Sequence, residues 1–406
     1  MKSLLRLSLF ATLGAGAIVF SCKLTVSQHC TPFPPPSVSG ASCSALPKLT
    51  KIRDLGNLEP GGDNSDRELI VDDHAIYFTA RPTVASPLSL YRIPKAGGDP
   101  QVLDIGVVPP IVLDGPSLLY TRVTEGPNYP NVIQLGPQCL FEALPNAGGA
   151  ISIENGPTVD EKGGVDWVAK GAQVSDHLVL HWDPRTDTTA VIASITNDDG
   201  LGFLGDADQV YWTQIVSRTP DPAEGPAPWI TTITSEPSAG GAQATLASLP
   251  EPLAIIAVDD EAFYLTAPPT PNVPPGAVMA ALTRVLKTDG SATTVVGCGS
   301  IYRVHDSHVY WARDSKVLRT PKTGGPAEVV FDLGDADTTL PPLRFTNLRS
   351  IAFDACNVYV DTQPTNSTSS SIWGAPLPQG STTSADDSCG DEEGDTDAST
   401  ADADEQ

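Results

Sequence analysis

Aspartates recur at short turns along this chain, and carboxylates repeated in this way could together bind cations. The clearest copies are Asp306-Ser-His-Val-Tyr-Trp and Asp72-Asp-His-Ala-Ile-Tyr, each an acidic turn followed by an aromatic segment. Aspartate also closes tight turns by accepting hydrogen bonds from its own backbone neighbours, and this structural role is the favoured interpretation. The aspartates in such positions are Asp72, Asp73, Asp114, Asp176, Asp206, Asp208, Asp259, Asp260, Asp306 and Asp354.

Histidine gives little indication of a metal or nucleophile site. His305 and His308 flank a turn, a separation that does not direct both imidazoles to one metal ion. His177 and His181 are four residues apart, which is roughly 13 Å of rise along a strand. The sequence has no nucleophile elbow, phosphate loop, dinucleotide fingerprint or Cys-x-x-Cys pair. It therefore predicts no catalytic residue, cofactor or metal site, with only a weak case for Ca²⁺ in residues 391–404, whose acidic residues lack the ligand order of an EF-hand.

A repeated structural unit must position the acidic turns, because turn and aromatic segment recur about every 47 residues. In the clearest copies the pattern continues to a Gly-Gly turn, at residues 97–98 and 324–325. Several short strands per unit at a fixed period are typical of a β-propeller, so we predict an all-β fold. The aromatic anchors are Tyr77, Tyr120, Tyr211, Tyr264, Tyr310 and Tyr359.

The spacing of the anchors predicts seven four-stranded blades, with six as the alternative. Tyr120 and Tyr211 are 91 residues apart, about two periods, and the segment Asp176-His-Leu-Val-Leu-His-Trp182 fills the gap. The last unit lacks an outer strand, whereas residues 47–55 precede the first unit and end like residues 331–334. We expect this N-terminal strand to close the last blade; a plain linker is the other interpretation.

Two segments carry a family resemblance, Val210-Tyr-Trp-Thr213 and Val309-Tyr-Trp-Ala312. Each resembles the repeat of bacterial extracytoplasmic propellers of the YWTD-like and TolB-like kind. The resemblance spans roughly residues 60 to 380 and rests on short motifs. It implies a propeller outside the cytoplasm, although these families usually close with six blades.

The N-terminus predicts export. Residues 1–6 are basic, and Leu7 to Phe20 is an apolar stretch too short for a stable membrane anchor. The ending Val19-Phe-Ser-Cys22 resembles the lipobox of bacterial lipoproteins, which implies diacylation of Cys22. We therefore predict a signal peptide at 1–21, a Pro/Ser-rich tether at 22–46, a propeller at 47–380 and a disordered acidic tail at 381–406. The expected location is the bacterial outer membrane or cell surface; a periplasmic or secreted protein is the alternative.

Lipidation of Cys22 would leave six cysteines, an even number that could pair in an oxidising compartment. The pairing that we predict is Cys30–Cys43, a local loop in a proline-rich segment. The net charge of −25 argues against binding to nucleic acid or an anionic membrane surface.

The connections between second and third strands are long and rich in proline, and such loops on a rigid scaffold are common binding sites. The candidate ligand-binding residues are Arg122, Tyr129, Arg218, Glu224 and Trp229. We therefore expect a monomeric, lipid-anchored, non-catalytic scaffold that binds a protein or glycan. The alternative is an envelope hydrolase or lyase with its site at the mouth of the propeller channel.

Overall fold

The fold was analysed in a computed structural model. The structure describes residues 25–26, 30, 32–34, 45–56, 58, 68–83, 85–123, 131–145, 147, 150, 152–171, 176–196, 202–206, 208–217, 229–268, 279–335, 346–364, 370–378 and 384–385. No helix in these ranges is long and apolar enough to cross a membrane.

Strands dominate the described part of the chain. Two come first: β1 (Thr25–Val26) and β2 (Thr50–Gly56). Unit 1 comprises β3 (Leu69–Val71), β4 (Ala75–Ala80), β5 (Ser89–Pro94) and β6 (Gln101–Ile105). Unit 2 comprises β7 (Val107–Asp114), β8 (Ser117–Arg122), β9 (Asn131–Leu135) and β10 (Leu140–Ala143). Unit 3 comprises β11 (Ser152–Val159), β12 (Val165–Lys170), β13 (Asp176–Asp183) and β14 (Thr188–Thr196).

The later units follow the same order. Unit 4 comprises β15 (Gly202–Asp206), β16 (Gln209–Ser217), β17 (Trp229–Pro237) and β18 (Ala244–Leu249). Unit 5 comprises β19 (Ala254–Val258), β20 (Ala262–Thr266), β21 (Ala280–Leu286) and the first half of β22 (Ala292–His305). Unit 6 comprises the second half of β22, β23 (His308–Arg313), β24 (Lys316–Pro321) and β25 (Ala327–Asp332), followed by a 3-10 turn (Leu333–Asp335). Unit 7 contains β26 (Thr346–Phe353), β27 (Asn357–Pro364) and β28 (Ser370–Pro376), and β29 (Ser384–Ala385) comes last.

Each unit is an antiparallel meander, and the units lie side by side. Units 5 and 6 form one continuous eight-stranded sheet with β29, because β22 pairs with β21 in its first half and with β23 in its second. The first strands contact one another in chain order, from β3 with β7 to β22 with β26. β26 in turn contacts β3, so these contacts run full circle.

The core lies between neighbouring units. Tyr77 and Leu90 of unit 1 pack with Leu118 and Tyr120 of unit 2 in one buried cluster. β-branched and aromatic side chains suit such sheets, because both faces of the pleated surface are covered. The Val-Tyr-Trp aromatics are buried in these layers; Trp311, for example, is fully buried.

The N-terminal segment pairs with the last unit. β2 lies antiparallel to β28, with Thr50 opposite Gly374 and Lys51 opposite Trp373, and becomes the outer strand of unit 7. The backbone N–H of Leu46 donates to Asn357 Oδ1 at 2.7 Å. Residues from both ends of the chain therefore complete one four-stranded sheet, the pairing expected from the sequence.

The third repeat differs from the sequence prediction. Asp176–Asp183 is the third strand of its unit, whereas the aromatic-anchor position belongs to β12. Its pair Thr158–Asp166 corresponds to Ala257–Tyr264 in unit 5, so Asp166 stands where unit 5 has tyrosine. Without the tyrosine, the repeat lost the signal by which the other units were found.

The predicted Cys30–Cys43 pairing is wrong: Cys30 is bonded to Cys139, with Cα atoms 5.5 Å apart. The reason is that the N-terminal segment packs on unit 2 instead of closing on itself. β1 pairs with β10, and the buried Phe33 donates its N–H to Pro137 O at 2.9 Å. Cys298 and Cys356 are also disulfide-bonded.

The acidic tail has one described contact. β29 pairs with β25, placing Ala385 opposite Ala327 and Ser384 opposite Glu328. The remainder of the predicted tail, residues 386–406, lies outside the described residues, as does Cys22.

Candidate functional site

One end of the units carries most of the exposed apolar side chains. Second strands end and third strands begin at this end, which we call the loop face. Trp229, at the start of β17, is 41% exposed and lies opposite Ser217 of β16. Val123, Val216 and Met279 are also exposed at strand ends of the loop face. This rim therefore exposes large apolar groups where the loops begin.

The structure places two of the five candidate ligand-binding residues, and both lie on the loop face. Arg122 ends β8, where its Nε lies 3.4 Å from the buried carboxylate of Asp104 and its guanidinium lies 4.8 Å from the Phe141 ring centroid. These contacts engage Arg122 with units 1 and 2, whereas the side chain of Trp229 is partly exposed. No contact joins these two residues, which belong to units 2 and 4. Tyr129, Arg218 and Glu224 lie outside the described residues.

A glutamate and an arginine, both half-buried, interact electrostatically among the inner strands, and no sequence motif pointed to them. The carboxylate of Glu68, just before β3, accepts a hydrogen bond from the backbone N–H of Ile111 on β7. It also interacts with Arg303 on β22. The two residues lie at first strands that are not neighbours, because β26 lies between β22 and β3. Burial raises the pKa of Glu68 to about 7, against the opposing effects of that N–H and of Arg303. A carboxyl with this pKa can act as an acid or a base near neutrality.

The recurring aspartates stabilise the turns between first and second strands. Asp354 Oδ1 accepts the backbone N–H groups of Cys356 and Asn357 at 2.8 and 2.7 Å, and its Oδ2 accepts the Tyr359 hydroxyl at 2.9 Å. Asp72 and Asp259 repeat this arrangement with Tyr77 and Tyr264. The aspartate therefore fixes both its own turn and the anchor tyrosine.

A lysine from the following unit binds the same aspartates, in a contact that we call the Asp–Lys clamp. Lys95 Nζ lies 2.6 Å from Asp354 Oδ2, joining unit 1 to unit 7. Lys287 and Lys322 make the same contact with Asp206 and Asp259 at 2.9 and 2.8 Å. Burial alone would raise the pKa of Asp354, but hydrogen bonds led by that from Lys95 outweigh it and lower the pKa. At these positions the acidic turns hold neighbouring units together.

Comparison with known proteins finds no matching family model and no matching curated protein. Solved structures do match. The β-propeller domain of the Trilobed protease from Pyrococcus furiosus is 10% identical, with a TM-score of 0.52 over 77% of this chain and 94% of that one. The chain folds as a β-propeller. Oligogalacturonate lyase from Vibrio parahaemolyticus is 9% identical, with a TM-score of 0.53 over 88% of this chain and 97% of the lyase. At such identities the likeness concerns the fold alone, and the YWTD-like or TolB-like type stays a prediction.

Four of the described histidines make packing or hydrogen-bonding contacts. The His305 ring stacks on Phe353 with centroids 4.5 Å apart, and His308 Nδ1 lies 3.0 Å from Ser307 Oγ. His181 Nδ1 lies 2.8 Å from Asp166 Oδ1, and His177 pairs with Glu154. Within the described ranges, no group of three or more His, Cys, Asp or Glu residues is arranged to hold a metal ion.

Proposed function

We propose that this propeller is a non-catalytic binding scaffold of the bacterial cell envelope, which recognises a protein or glycan through its loop face. The positions of the exposed apolar side chains support this function best. Of the seven large apolar side chains exposed in the described ranges, five lie at the loop-face end: Val108, Val123, Val216, Trp229 and Met279. Such clustering at one end favours a binding surface over scattered surface residues, which would be spread evenly.

The scaffold itself consists of seven blades in this proposal, one for each unit, with β2 closing the ring. The run of contacts from β3 around to β26 and back supports closure, as does the pairing of β2 with β28. A ring of this kind holds its loops in fixed positions, which lowers the entropy lost when a partner binds.

The anchor in this proposal is a diacylated Cys22, which would attach a monomeric propeller to the outer membrane or cell surface. The disulfide between Cys30 and Cys139 supports export, because such bonds persist in oxidising compartments.

The test compares two exposed apolar sites of the full chain. Trp229→Ala removes a loop-face aromatic, and Val191→Ala removes a side chain of similar exposure (42%) on the outer strand β14. Wild type and both variants would be used to capture partners from envelope extract and from an array of envelope glycans. We expect one partner whose affinity falls about 30-fold in Trp229→Ala, as for an aromatic hot spot, and is unchanged in Val191→Ala. Equal capture by all three proteins would contradict the proposal.

A second candidate function is an envelope hydrolase or lyase at the channel mouth. The Glu68–Arg303 pair favours it, because Glu68 could exchange a proton near neutral pH while Arg303 neutralises an anionic substrate group. A screen of envelope polysaccharides and peptides with wild type and Glu68→Gln would decide. Activity that Glu68→Gln abolishes would replace the scaffold proposal with this one.

A further inference from the structure

Among the described residues the Asp–Lys clamp joins three pairs of units, and the junction between units 3 and 4 is one of those without it. In two of the three clamps the lysine follows a proline in a Pro-Lys-x-Gly-Gly turn, as Lys95 follows Pro94 and Lys322 follows Pro321; Lys287 follows Leu286. In unit 4 the same turn reads Pro237-Ser-Ala-Gly-Gly241, so Ser238 takes the place of the lysine. A serine hydroxyl is too short to make the clamp contact, and it donates instead to Asp166 Oδ2 at 3.2 Å.

The acceptor half of the clamp is still present in unit 3. Asp160 Oδ1 accepts the backbone N–H groups of Lys162 and Gly164, both at 2.7 Å, as Asp354 Oδ1 does in unit 7. This leaves Oδ2 as the oxygen that corresponds to the lysine acceptors of Asp206, Asp259 and Asp354. Among the described residues, no hydrogen bond reaches Asp160 Oδ2.

The junction also has an additional carboxylate. Asp166 occupies the anchor position, where units 1, 5 and 7 have the tyrosine that donates to the turn aspartate. Its oxygens accept from Ser238 and contact His181 Nδ1, so the buried carboxylate is held in place. Compared with a clamped junction, this one lacks the clamp lysine, which is replaced by Ser238, and has an additional carboxylate, that of Asp166.

A pocket of about 110 Å³ opens at this junction. It is lined on the unit 3 side by Asp160, His181 and Asp183 and on the unit 4 side by Asp208 and Ser238. Because a water molecule takes up about 30 Å³ of liquid, the pocket has room for an ammonium group and the adjoining methylenes. The cations at its wall are Lys162 and Arg185, and Arg185 is already engaged by Asp183 at 3.0 Å.

We propose that this pocket binds a primary alkylammonium group from outside the chain, with Asp160 Oδ2 as its principal acceptor. The equivalent oxygen binds a lysine ammonium at three other junctions of the same protein, which points to this cation chemistry. A compact ammonium suits a single carboxylate oxygen, whereas a guanidinium prefers a bidentate partner. The group could come from a lysine side chain of a partner protein or from an amino sugar.

His181 makes the binding depend on pH. The hydrogen bond to Asp166 raises the pKa of His181 despite opposing burial, and a protonated ring would compete with the ammonium for the negative charge of the pocket. Ligand affinity should therefore fall as the pH is lowered and His181 gains its proton. The other charged groups that face it are Asp160, Asp166, Asp183, Asp208, Lys162 and Arg185.

The deciding variant is Ser238→Lys, which restores the clamp lysine and should fill the pocket from within. Binding to the full chain would be measured by saturation-transfer NMR with Nα-acetyl-lysine methylamide, its uncharged norleucine analogue and glucosamine. We expect millimolar binding of the lysine probe or glucosamine, none of the norleucine probe, and at least a tenfold loss in Ser238→Lys. The variant should also unfold at a higher temperature, because it gains the inter-unit contact.

A second pair of variants separates binding from folding. Asp160→Asn keeps an oxygen for the turn but removes the charge, and it should weaken binding at least tenfold. Asp289→Asn changes an exposed turn aspartate with a similar backbone contact, 2.9 Å to the N–H of Ser291, and should leave binding unchanged. Binding of the lysine probe indicates a protein-borne lysine, and binding of glucosamine alone indicates a sugar ligand. No binding of either amine, or equal binding by wild type and Ser238→Lys, would overturn the proposal.

Discussion

Removing one Asp–Lys clamp should destabilise the propeller by an amount that depends on how deeply the aspartate is buried. The Lys95–Asp354 clamp joins unit 1 to unit 7, and its side chains are only 17% and 4% exposed. Lys95→Met keeps most of the side-chain volume but leaves Asp354 without its cation. Breaking a buried ion pair from one side costs about 3–5 kcal/mol of unfolding free energy. The remaining hydrogen bonds from Tyr359 and the turn N–H groups should reduce this to about 2–3 kcal/mol.

The matched control is Lys322→Met at the clamp between units 6 and 5. There the lysine and Asp259 side chains are 21% and 22% exposed, so water can solvate the carboxylate after the lysine is lost. We expect about 1 kcal/mol, roughly half the loss or less than in Lys95→Met. Arg185→Met removes an exposed ion pair within a single turn and should leave the urea midpoint unchanged.

The assay is urea unfolding at several pH values, followed by intrinsic fluorescence. Because the pKa of Asp354 is lowered in the folded protein, its stabilising effect is fully present above the ordinary value of 3.8 and is lost as the pH falls through the folded value. The difference between wild type and Lys95→Met should therefore shrink in acid. Equal losses in both lysine variants, or a difference that persists in acid, would refute this account of the clamp.

Three further predictions concern the lipid anchor, the closing strand β2 and the carboxyl group of Glu68. Cys22→Ser should abolish labelling by a fatty-acid probe in a bacterial host, and persistent labelling would contradict lipidation. Deletion of residues 45–56 should lower the melting temperature markedly because unit 7 loses its outer strand, and an unchanged value would exclude closure by this segment. Glu68→Gln should make the free energy of unfolding less dependent on pH between about 4.5 and 7. In the wild type, Glu68 ionises in the unfolded chain from about pH 4.5 but stays protonated in the folded protein up to about pH 7, so stability falls as the pH rises through this range. Calorimetry across this range would show whether the variant loses that slope.

The repeat made much of the scaffold predictable, because tyrosine anchors and Gly-Gly turns have backbone and packing requirements that recur in each unit. The same reasoning found the closing strand, since Thr50–Gly56 resembles the outer strand of unit 6. It failed at unit 3, where Asp166 replaces the tyrosine. The turn between first and second strands is also one residue longer there than in unit 5, as the pairs Val159–Val165 and Val258–Phe263 show. A search for a repeated motif finds the units that keep the motif, and it therefore misassigned the strands of unit 3, which does not keep it.

Long-range pairings could not be predicted, because they depend on which surfaces the fold brings together. Cys30 and Cys139 are 109 residues apart, and only the docking of the N-terminal segment on unit 2 makes them neighbours. Glu68 and Arg303 have no motif, and they interact because first strands from different units converge at the centre. In both cases the ring creates a contact that no local pattern encodes.

The recurring and the exceptional residues of this propeller point to different roles. An aspartate that caps its turn, holds a tyrosine and binds a lysine has each carboxylate oxygen occupied, so Asp354 and Asp259 have little capacity left for a ligand. These two aspartates are therefore poor candidates for cation sites. Asp160 differs because it lacks both donors: Asp166 stands at the position of the anchor tyrosine, and Ser238 stands at the position of the clamp lysine. In a repeat protein, a ligand site is best sought where one unit keeps the acceptor of a structural contact but has lost its donor.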